Sequence, residues 1–476
     1  MAAFPRATAL AALIVVCAAA CTGASTSTVP PTGSPSTGSP ASSPATSPPA
    51  VTAFGRTPGD PRYEVRLRSD AIGRTWTGSE RVTFTNTGPE ALDRIWLRVW
   101  SNGIDGCRPL AIDVTDLTGG RLGAAQVDCT ALPIDLDATL APGATTSLAM
   151  RVRIRLPIRN DRFGYHDGTA LVGTALPTLA IHDDHGWNLA PFVRIGESFY
   201  SVTGSYRVAL DVPAGLETAA TGIAISQRTQ GDRIVRTYAA ERVRDFEWAA
   251  GGFNTLTGTV GSTRVRVWYR PQMLTPDRAR RVLGIAVRSM RTFDAAFGAY
   301  PYPEVDVVVT AFVAYRGMEY PQIVFTNPGR EPVAHELAHQ WWYGLVGDDQ
   351  YDSPWLDESF ATWSQFLPFR PWVSCPSYAW PSASAYLTNG MGYWARHRDD
   401  YGAIYAGGGC MLADLASLFG LPAFERVLRA YAAAHAFAIV RTPDFVDAID
   451  AAAEAQDVTG FDPATFWSTW RVRTGS

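Results

Sequence analysis

The sequence predicts an α+β protein, with an antiparallel β-sandwich or saddle first and a mainly helical domain after it. Three observations carry this reading. From about residue 53 to 257 the apolar residues recur every second position. Leu148, Met150, Val152, Ile154 and Leu156, for example, alternate with Ala149 and three arginines, the pattern of a strand with one wet face. After a strand at 264–269 the period becomes helical, in Val282, Ala286, Met290, Phe293 and Phe297. Finally, Val333-Ala334-His335-Glu336-Leu337-Ala338-His339-Gln340-Trp341-Trp342 sets two histidines four residues apart, which one face of a helix brings together.

Taken in order, residues 1–21 read as a secretory signal. Arg6 is the positive end, and Leu10 to Ala20 is apolar but too short to span a bilayer. Ala18-Ala19-Ala20-Cys21 suits ordinary cleavage and also resembles a bacterial lipobox. The lipid-anchored reading, with Cys21 as anchor on the outer face of the cell membrane, is preferred over plain secretion because a tether follows. Residues 22–52 are almost entirely Ser, Thr, Pro, Gly and Ala, a composition that cannot bury apolar surface. No other segment is expected to be long and apolar enough to cross a membrane. The 476 residues suffice for two or three domains, and the net charge of −4 gives no basic footprint for nucleic acid.

The β domain is expected over 53–257. Tyr63, Val65 and Leu67 begin it, and turn signals such as Asn86-Thr87-Gly88-Pro89 and Ala141-Pro142-Gly143 separate its strands. His182-Asp183-Asp184-His185 invites a metal, but adjacent residues on a strand point opposite ways, and a solvated loop is expected. The second domain, 258–476, opens with the strand at 264–269, then a helix started by Thr275-Pro276-Asp277 and a buried strand at 305–310. Residues 367–401, rich in Pro, Trp, Tyr and Ser, read as a long loop over a cleft, with helices from Met411 onward. Besides Cys17 and Cys21 there are Cys107, Cys129, Cys375 and Cys410. In an oxidising compartment three pairings are open, and the local one, Cys107 with Cys129 and Cys375 with Cys410, is simplest.

The chemistry gathers in the H-E-x-x-H stretch. His335 and His339 can reach one metal ion, and Glu336 beside them can take a proton from an activated water. Pro332 suits the first turn of such a helix. A catalytic zinc needs a third ligand and keeps its fourth position open. Glu358 supplies the ligand, on a second helix opened by Ser353 as N-cap and Pro354. A structural zinc would be closed by four ligands, often cysteines, and no cysteine pair lies nearby.

HELAHQWW followed by WLDESFATW resembles the gluzincin aminopeptidases, the group that includes aminopeptidase N and leukotriene hydrolase. Their second motif usually carries Asn and Gly where this chain has Asp357 and Ser359. Gly317-Met318-Glu319-Tyr320-Pro321 resembles the family's G-x-M-E-N exopeptidase segment, with Arg316 for its Gly and Tyr320 for its Asn. Tyr405-Ala406-Gly407-Gly408 resembles its Y-x-K-G segment. The resemblance, running from about residue 55 to the end, implies a thermolysin-like catalytic domain holding one zinc ion on His335, His339 and Glu358. Glu336 would be the general base, and Tyr405, with Tyr401 as fallback, the oxyanion donor. Glu319, with Gly317 and Met318, would bind the substrate's free amine, and the substrates would be peptides cut at their N-termini. An Arg316–Glu319 pair is the competing structural reading. The resemblance also implies a polar Gln or Glu from the first domain near that amine, which no signal locates. An endopeptidase or epoxide hydrolase on the same core, or a surface binding protein without catalysis, are the other functions the sequence leaves open.

Overall fold

The structure, a computed structural model, describes residues 56–107, 109–372, 375 and 378–475. The expected signal at 1–21, the anchor at Cys21 and the tether at 22–52 lie outside the described residues. The described part packs as one compact unit.

The first half is built on a seven-stranded sheet. Its strands in chain order are β1 (Gly59–Ser69), β2 (Thr75–Thr85), β3 (Ile112–Thr118), β4 (Thr145–Arg155), β5 (Gly204–Pro213), β6 (Ile223–Gln230) and β7 (Arg233–Val243). They lie side by side as β6-β7-β5-β1-β2-β4-β3. All neighbours are antiparallel except β1 and β5, which run parallel. The period of two is what this sheet uses: Tyr63, Val65 and Leu67 are buried while Arg62, Glu64, Arg66 and Arg68 face water. The inner face packs on two smaller four-stranded sheets, with Ile95, Leu97, Ile134 and Trp248 in the shared core. The fold is therefore α+β with the β-rich half first, as the alternation predicts.

A five-stranded sheet begins the second half. It comprises β8 (Asn254–Val260), β9 (Thr263–Tyr269), β10 (Glu304–Val309), β11 (Gly317–Met318) and β12 (Ile323–Thr326), ordered β8-β9-β10-β12-β11. The division drawn from sequence at 257/258 falls inside β8, because the hairpin β8–β9 pairs over its whole length. Among the described residues eight helices follow or intervene: α1 (Pro276–Phe297), α2 (Arg330–Ala338), α3 (Trp355–Ser364), α4 (Met391–Trp394), α5 (Ala403–Phe419), α6 (Leu421–Ala434), α7 (Thr442–Ala455) and α8 (Pro463–Thr469). Thr275 caps α1, accepting a hydrogen bond from the Arg278 amide.

Two expectations about this half need correcting. Helix α5 starts at Ala403, not near Met411, so Tyr405 stands on its first turn. The run Gly407-Gly408-Gly409 argues against a helix by propensity, but packing demands it. A Cβ on Gly408 would come within 1.8 Å of Ser359 Oγ, and one on Gly409 within 2.8 Å of Trp372. These glycines let α5 lie directly on α3. The stretch Arg398–Phe419 also has the length and apolarity of a membrane span. Its apolar residues Ile404, Met411, Leu412 and Leu415 are buried in the protein core, as a core helix requires.

The disulfides Cys107–Cys129 and Cys375–Cys410 both form, the local pairing expected.

Candidate functional site

Helix α2 is short and its sequence fixes both ends. Gly329 enters it extended, Glu331 stands in its first turn where negative charge is favoured, and Pro332 takes a first-turn place as expected. His335 lies in the last turn. His339 follows the helix end, still in αR conformation, its amide bonded to the His335 carbonyl at 3.3 Å. The two tryptophans after it lock the helix in place. Trp341 meets Phe293 of α1, and Trp342 meets Phe360 of α3 and donates to Ser364 Oγ. On α3, Pro354 occupies the N-cap and Trp355 the first helical position, one residue later than the sequence suggests.

This architecture brings three ligand atoms to one point. His335 Nε2 lies 3.1 Å from Glu358 Oε2 and 3.2 Å from His339 Nε2; His339 Nε2 lies 3.5 Å from the same carboxylate oxygen. The Nδ1 of His339 is 3.0 Å from the Trp342 carbonyl. An N–H there turns the lone pair of Nε2 inward, the orientation a metal ligand needs. Burial alone would raise the Glu358 carboxyl, but the two imidazoles hold it well below the usual carboxylate range. The point where the three meet thus demands positive charge, and its donors, two imidazoles and one carboxylate with no fourth ligand grouped with them among the described residues, suit a zinc with an open position.

Of the other expected residues, Glu336, Glu319, Gly317 and Tyr405 line a cleft of about 590 Å³ around this point, and Met318 and Tyr401 do not. Glu336 is 4% exposed, and burial holds its carboxyl well above the ordinary range. Gly317 lies against it: a Cβ there would sit 2.1 Å from Glu336 Oε1. Met318 is buried on β11, and Glu319, just beyond, is 3% exposed. Arg316 pairs with Glu331 at 3.4 Å, so the alternative Arg316–Glu319 pair is not formed. Instead Gln350 Nε2 donates to Glu319 Oε1 at 3.0 Å and to Asp357 Oδ2 at 2.7 Å. Tyr405 lines the cleft and donates to Glu358 Oε1 at 2.7 Å. The Tyr401 hydroxyl is buried against Gly196.

The sequence did not reveal Glu197 and Arg162. Both come from the first half and line the same cleft. Arg162 is buried, bonds Glu197 Oε1 at 2.7 Å and reaches Met318 Sδ at 3.1 Å. Burial, and then the neighbouring Glu319, push the Glu197 carboxyl up to about 8, against the pull of Arg162. Neither residue sits in a periodic element, so no pattern pointed to them. By contrast, 182–187 forms a small hairpin away from the cleft, where Tyr200 donates to Asp183 and Arg441 clamps Asp184. The stretch 367–401 also differs from expectation. It carries α4, and none of its described residues lines the cleft. Trp372 and Tyr378 instead fill the space over the α5 glycines.

No family model matches the chain. Among curated proteins it is 24% identical over 307 residues to aminopeptidase M1-B of Oryza sativa subsp. japonica, covering 57% of this chain and 34% of that protein. It is 27% identical over 164 residues to aminopeptidase N of Streptomyces lividans, covering 30% of this chain and 18% of that one. The chain thus spans about a third or less of the length of these relatives. Among solved structures, the M1 zinc metallopeptidase of Deinococcus radiodurans superposes with a TM-score of 0.63 at 18% identity, covering 88% of this chain and 94% of that one. These similarities support a gluzincin of the aminopeptidase N type. The shared fold is a β-rich half followed by a half with the helices that carry His335, His339 and Glu358. Four stretches quoted from the sequence, around Glu319, His335, Glu358 and Tyr405, converge on this one cleft.

Proposed function

We propose that the protein is a zinc-dependent aminopeptidase acting on peptides with a free N-terminus. The observation that carries this reading is the buried carboxylate of Glu319, with the half-buried Glu197 close by, beside the His335–His339–Glu358 trio. Arg162 already meets Glu197, whereas no ion pair among the described residues engages Glu319, and a buried carboxylate is costly unless a cation meets it. A substrate's α-ammonium group is such a cation. Holding it there sets the first peptide bond, and no later one, over the metal ligands. A two-domain M1 zinc metallopeptidase mutant has been crystallised with L-tryptophan and with L-arginine, and the Deinococcus radiodurans mutant with a Tyr-Ser-Ala substrate, all of which carry a free amine.

His335, His339 and Glu358 would hold one zinc ion. When bound, zinc acidifies water and polarises a carbonyl. The remaining work falls to side chains. Glu336 takes a proton from the attacking water and returns it to the leaving amine, a role worth about two to four powers of ten in rate. Gly317 leaves the room that its carboxylate occupies. Tyr405 turns its hydroxyl from Glu358 to the oxygen of the scissile carbonyl as negative charge develops there. Arg162 holds Glu197 in place from behind.

The test compares amino-acid amides with their N-acetylated forms, in protein that binds about one zinc per chain. Free amides should be cleaved and N-acetyl forms left nearly intact. Glu319→Ala should raise KM for free amides by roughly tenfold or more, since a charge-assisted contact is worth about 1.5–3 kcal/mol. Equal cleavage of blocked and free substrates would make the protein an endopeptidase instead.

We also propose export and anchoring through a lipidated Cys21, on the strength of Ala18-Ala19-Ala20-Cys21 and the tether composition after it. The wild type should partition with membranes, and Cys21→Ser should release it into the medium. A wild type that stays wholly aqueous would leave plain secretion.

A further inference from the structure

The outer face of the seven-stranded sheet carries charge that the net value of −4 conceals. Register places Arg66 of β1 opposite Ser79 of β2, and Ser79 opposite Arg151 of β4. One step along, Arg68 is opposite Thr77, and Thr77 opposite Arg153. Strands lie about 4.8 Å apart, and alternate residues about 6.8 Å apart along a strand. Two arginine rows therefore run about 10 Å from each other, with a floor of short hydroxyl side chains between them. The trough over this floor has a volume of about 810 Å³. Arg81 and Arg207 flank Glu64 from β2 and β5. Six arginines line the trough, at positions 66, 68, 81, 151, 207 and 228, against two carboxylates on its open face, Glu64 and Asp211. Asp211 is already bonded by Arg68 and Arg233. Among the described residues no ion pair engages Arg66, Arg81, Arg151, Arg153 or Arg207, and all five are exposed. None of them lines the cleft with the metal ligands.

We propose that this trough binds linear polyphosphate, a phosphate polymer without bases. The charge and the guanidinium fork suit phosphate. The shape suits a strand of polymer rather than a flat bilayer. Large exposed apolar side chains, at Ile72, Leu110, Ile158, Ile225 and Val313, all lie outside the trough, so nothing there would insert into lipid. No aromatic side chain lines it either, so it lacks the stacking platforms that single-stranded nucleic acids use.

The experiment measures fluorescence anisotropy of a labelled linear polyphosphate with the purified protein at rising salt. Parallel titrations use phosphatidylglycerol vesicles and a single-stranded oligonucleotide. Polyphosphate should bind, weaken with salt, and outcompete both alternatives. The triple variant Arg66→Gln, Arg151→Gln, Arg153→Gln should lose about tenfold or more in affinity. Its salt slope should shrink by about one per arginine removed, while amino-acid-amide turnover stays unchanged. Arg426→Gln, an exposed arginine on α6, should leave binding intact. Failure of polyphosphate to bind at low salt would overturn the proposal. So would equal loss in Arg426→Gln, or equal affinity for vesicles or oligonucleotide.

Discussion

Tyr405 donates its phenol to Oε1 of Glu358 at 2.7 Å, while Oε2 of the same carboxylate faces His335 and His339. One carboxylate therefore joins the ligand trio to the hydroxyl that would meet the substrate. The link depends on α5 lying close on α3, since the two residues stand on these helices. Tyr405→Phe leaves all three ligand atoms in place. It should keep its zinc and lose about two to three powers of ten in kcat, the cost of one oxyanion donor. Tyr401→Phe should cost far less, because its hydroxyl is buried against Gly196 and does not line the cleft. Steady-state kinetics on both variants checks this; a larger loss at Tyr401 would move the donor role there.

Gly317 should be intolerant of any side chain. A Cβ would come 2.1 Å from Oε1 and 2.3 Å from Cδ of Glu336. The carboxylate can rotate away, so the fold should survive Gly317→Ala. The displaced base should not work, since a positioned proton acceptor is worth about two to four powers of ten. Folded, zinc-loaded protein with kcat reduced about a hundredfold or more is the expected result. Unchanged turnover would mean that Glu336 works from another rotamer.

Much of this site was legible because its residues come in short runs. His335, Glu336 and His339 share one turn, and Glu358 and Glu319 sit in segments with recognisable neighbours. The β-rich first half was legible from the alternation that buries Tyr63, Val65 and Leu67. What was not legible depends on tertiary contact. Glu197 and Arg162 reach the cleft from irregular chain and meet Met318 and Glu319 only in the fold. The start of α5 was hidden because three successive glycines lower helix propensity, and only the close approach of Ser359 and Trp372 explains them. The aromatic stretch 367–401 read as a cleft loop because composition does not say which surface an aromatic covers. The arginine face was hidden because net charge averages over the whole chain.

Glu80 makes a prediction about stability and pH. It is 1% exposed on β2, both its carboxylate oxygens lack hydrogen-bond partners, and burial holds its carboxyl well above the ordinary range. In the folded chain it keeps its proton where the unfolded chain has lost it. The sign follows: above the ordinary carboxylate pKa the native state binds more protons, so Glu80 makes stability fall as pH rises. The limiting slope for one group is about 1.4 kcal/mol per pH unit. Glu80→Gln keeps the shape and removes the titration. Thermal unfolding of both proteins between pH 5 and 8 should show a shallower decline for the variant. Parallel curves would mean that Glu80 is ionised or solvated in the fold.

Ser359 and Gly408 should be coupled, and their coupling should reach activity. Ser359 stands where the resembling motif carries glycine, and its hydroxyl donates to the Ile404 carbonyl at 2.6 Å. Gly408 faces it so closely that a Cβ would lie 1.8 Å from Ser359 Oγ. Two effects of Gly408→Ala then oppose each other. Alanine favours a helix over glycine by about 1 kcal/mol, whereas forcing a methyl into a filled interface typically costs about 1–3 kcal/mol. The clash should win, because the contacting hydroxyl is itself held by α5. Gly408→Ala should therefore destabilise the protein and, by pushing α5 off α3, part Tyr405 from Glu358 and lower kcat. In the Ser359→Gly background the space is open, and the same Gly408→Ala change should become neutral or stabilising through propensity alone. A double-mutant cycle by chemical denaturation measures this, with turnover recorded on all four proteins. Additive effects would show that the helices are not set by this contact, and that the Tyr405–Glu358 distance is fixed elsewhere.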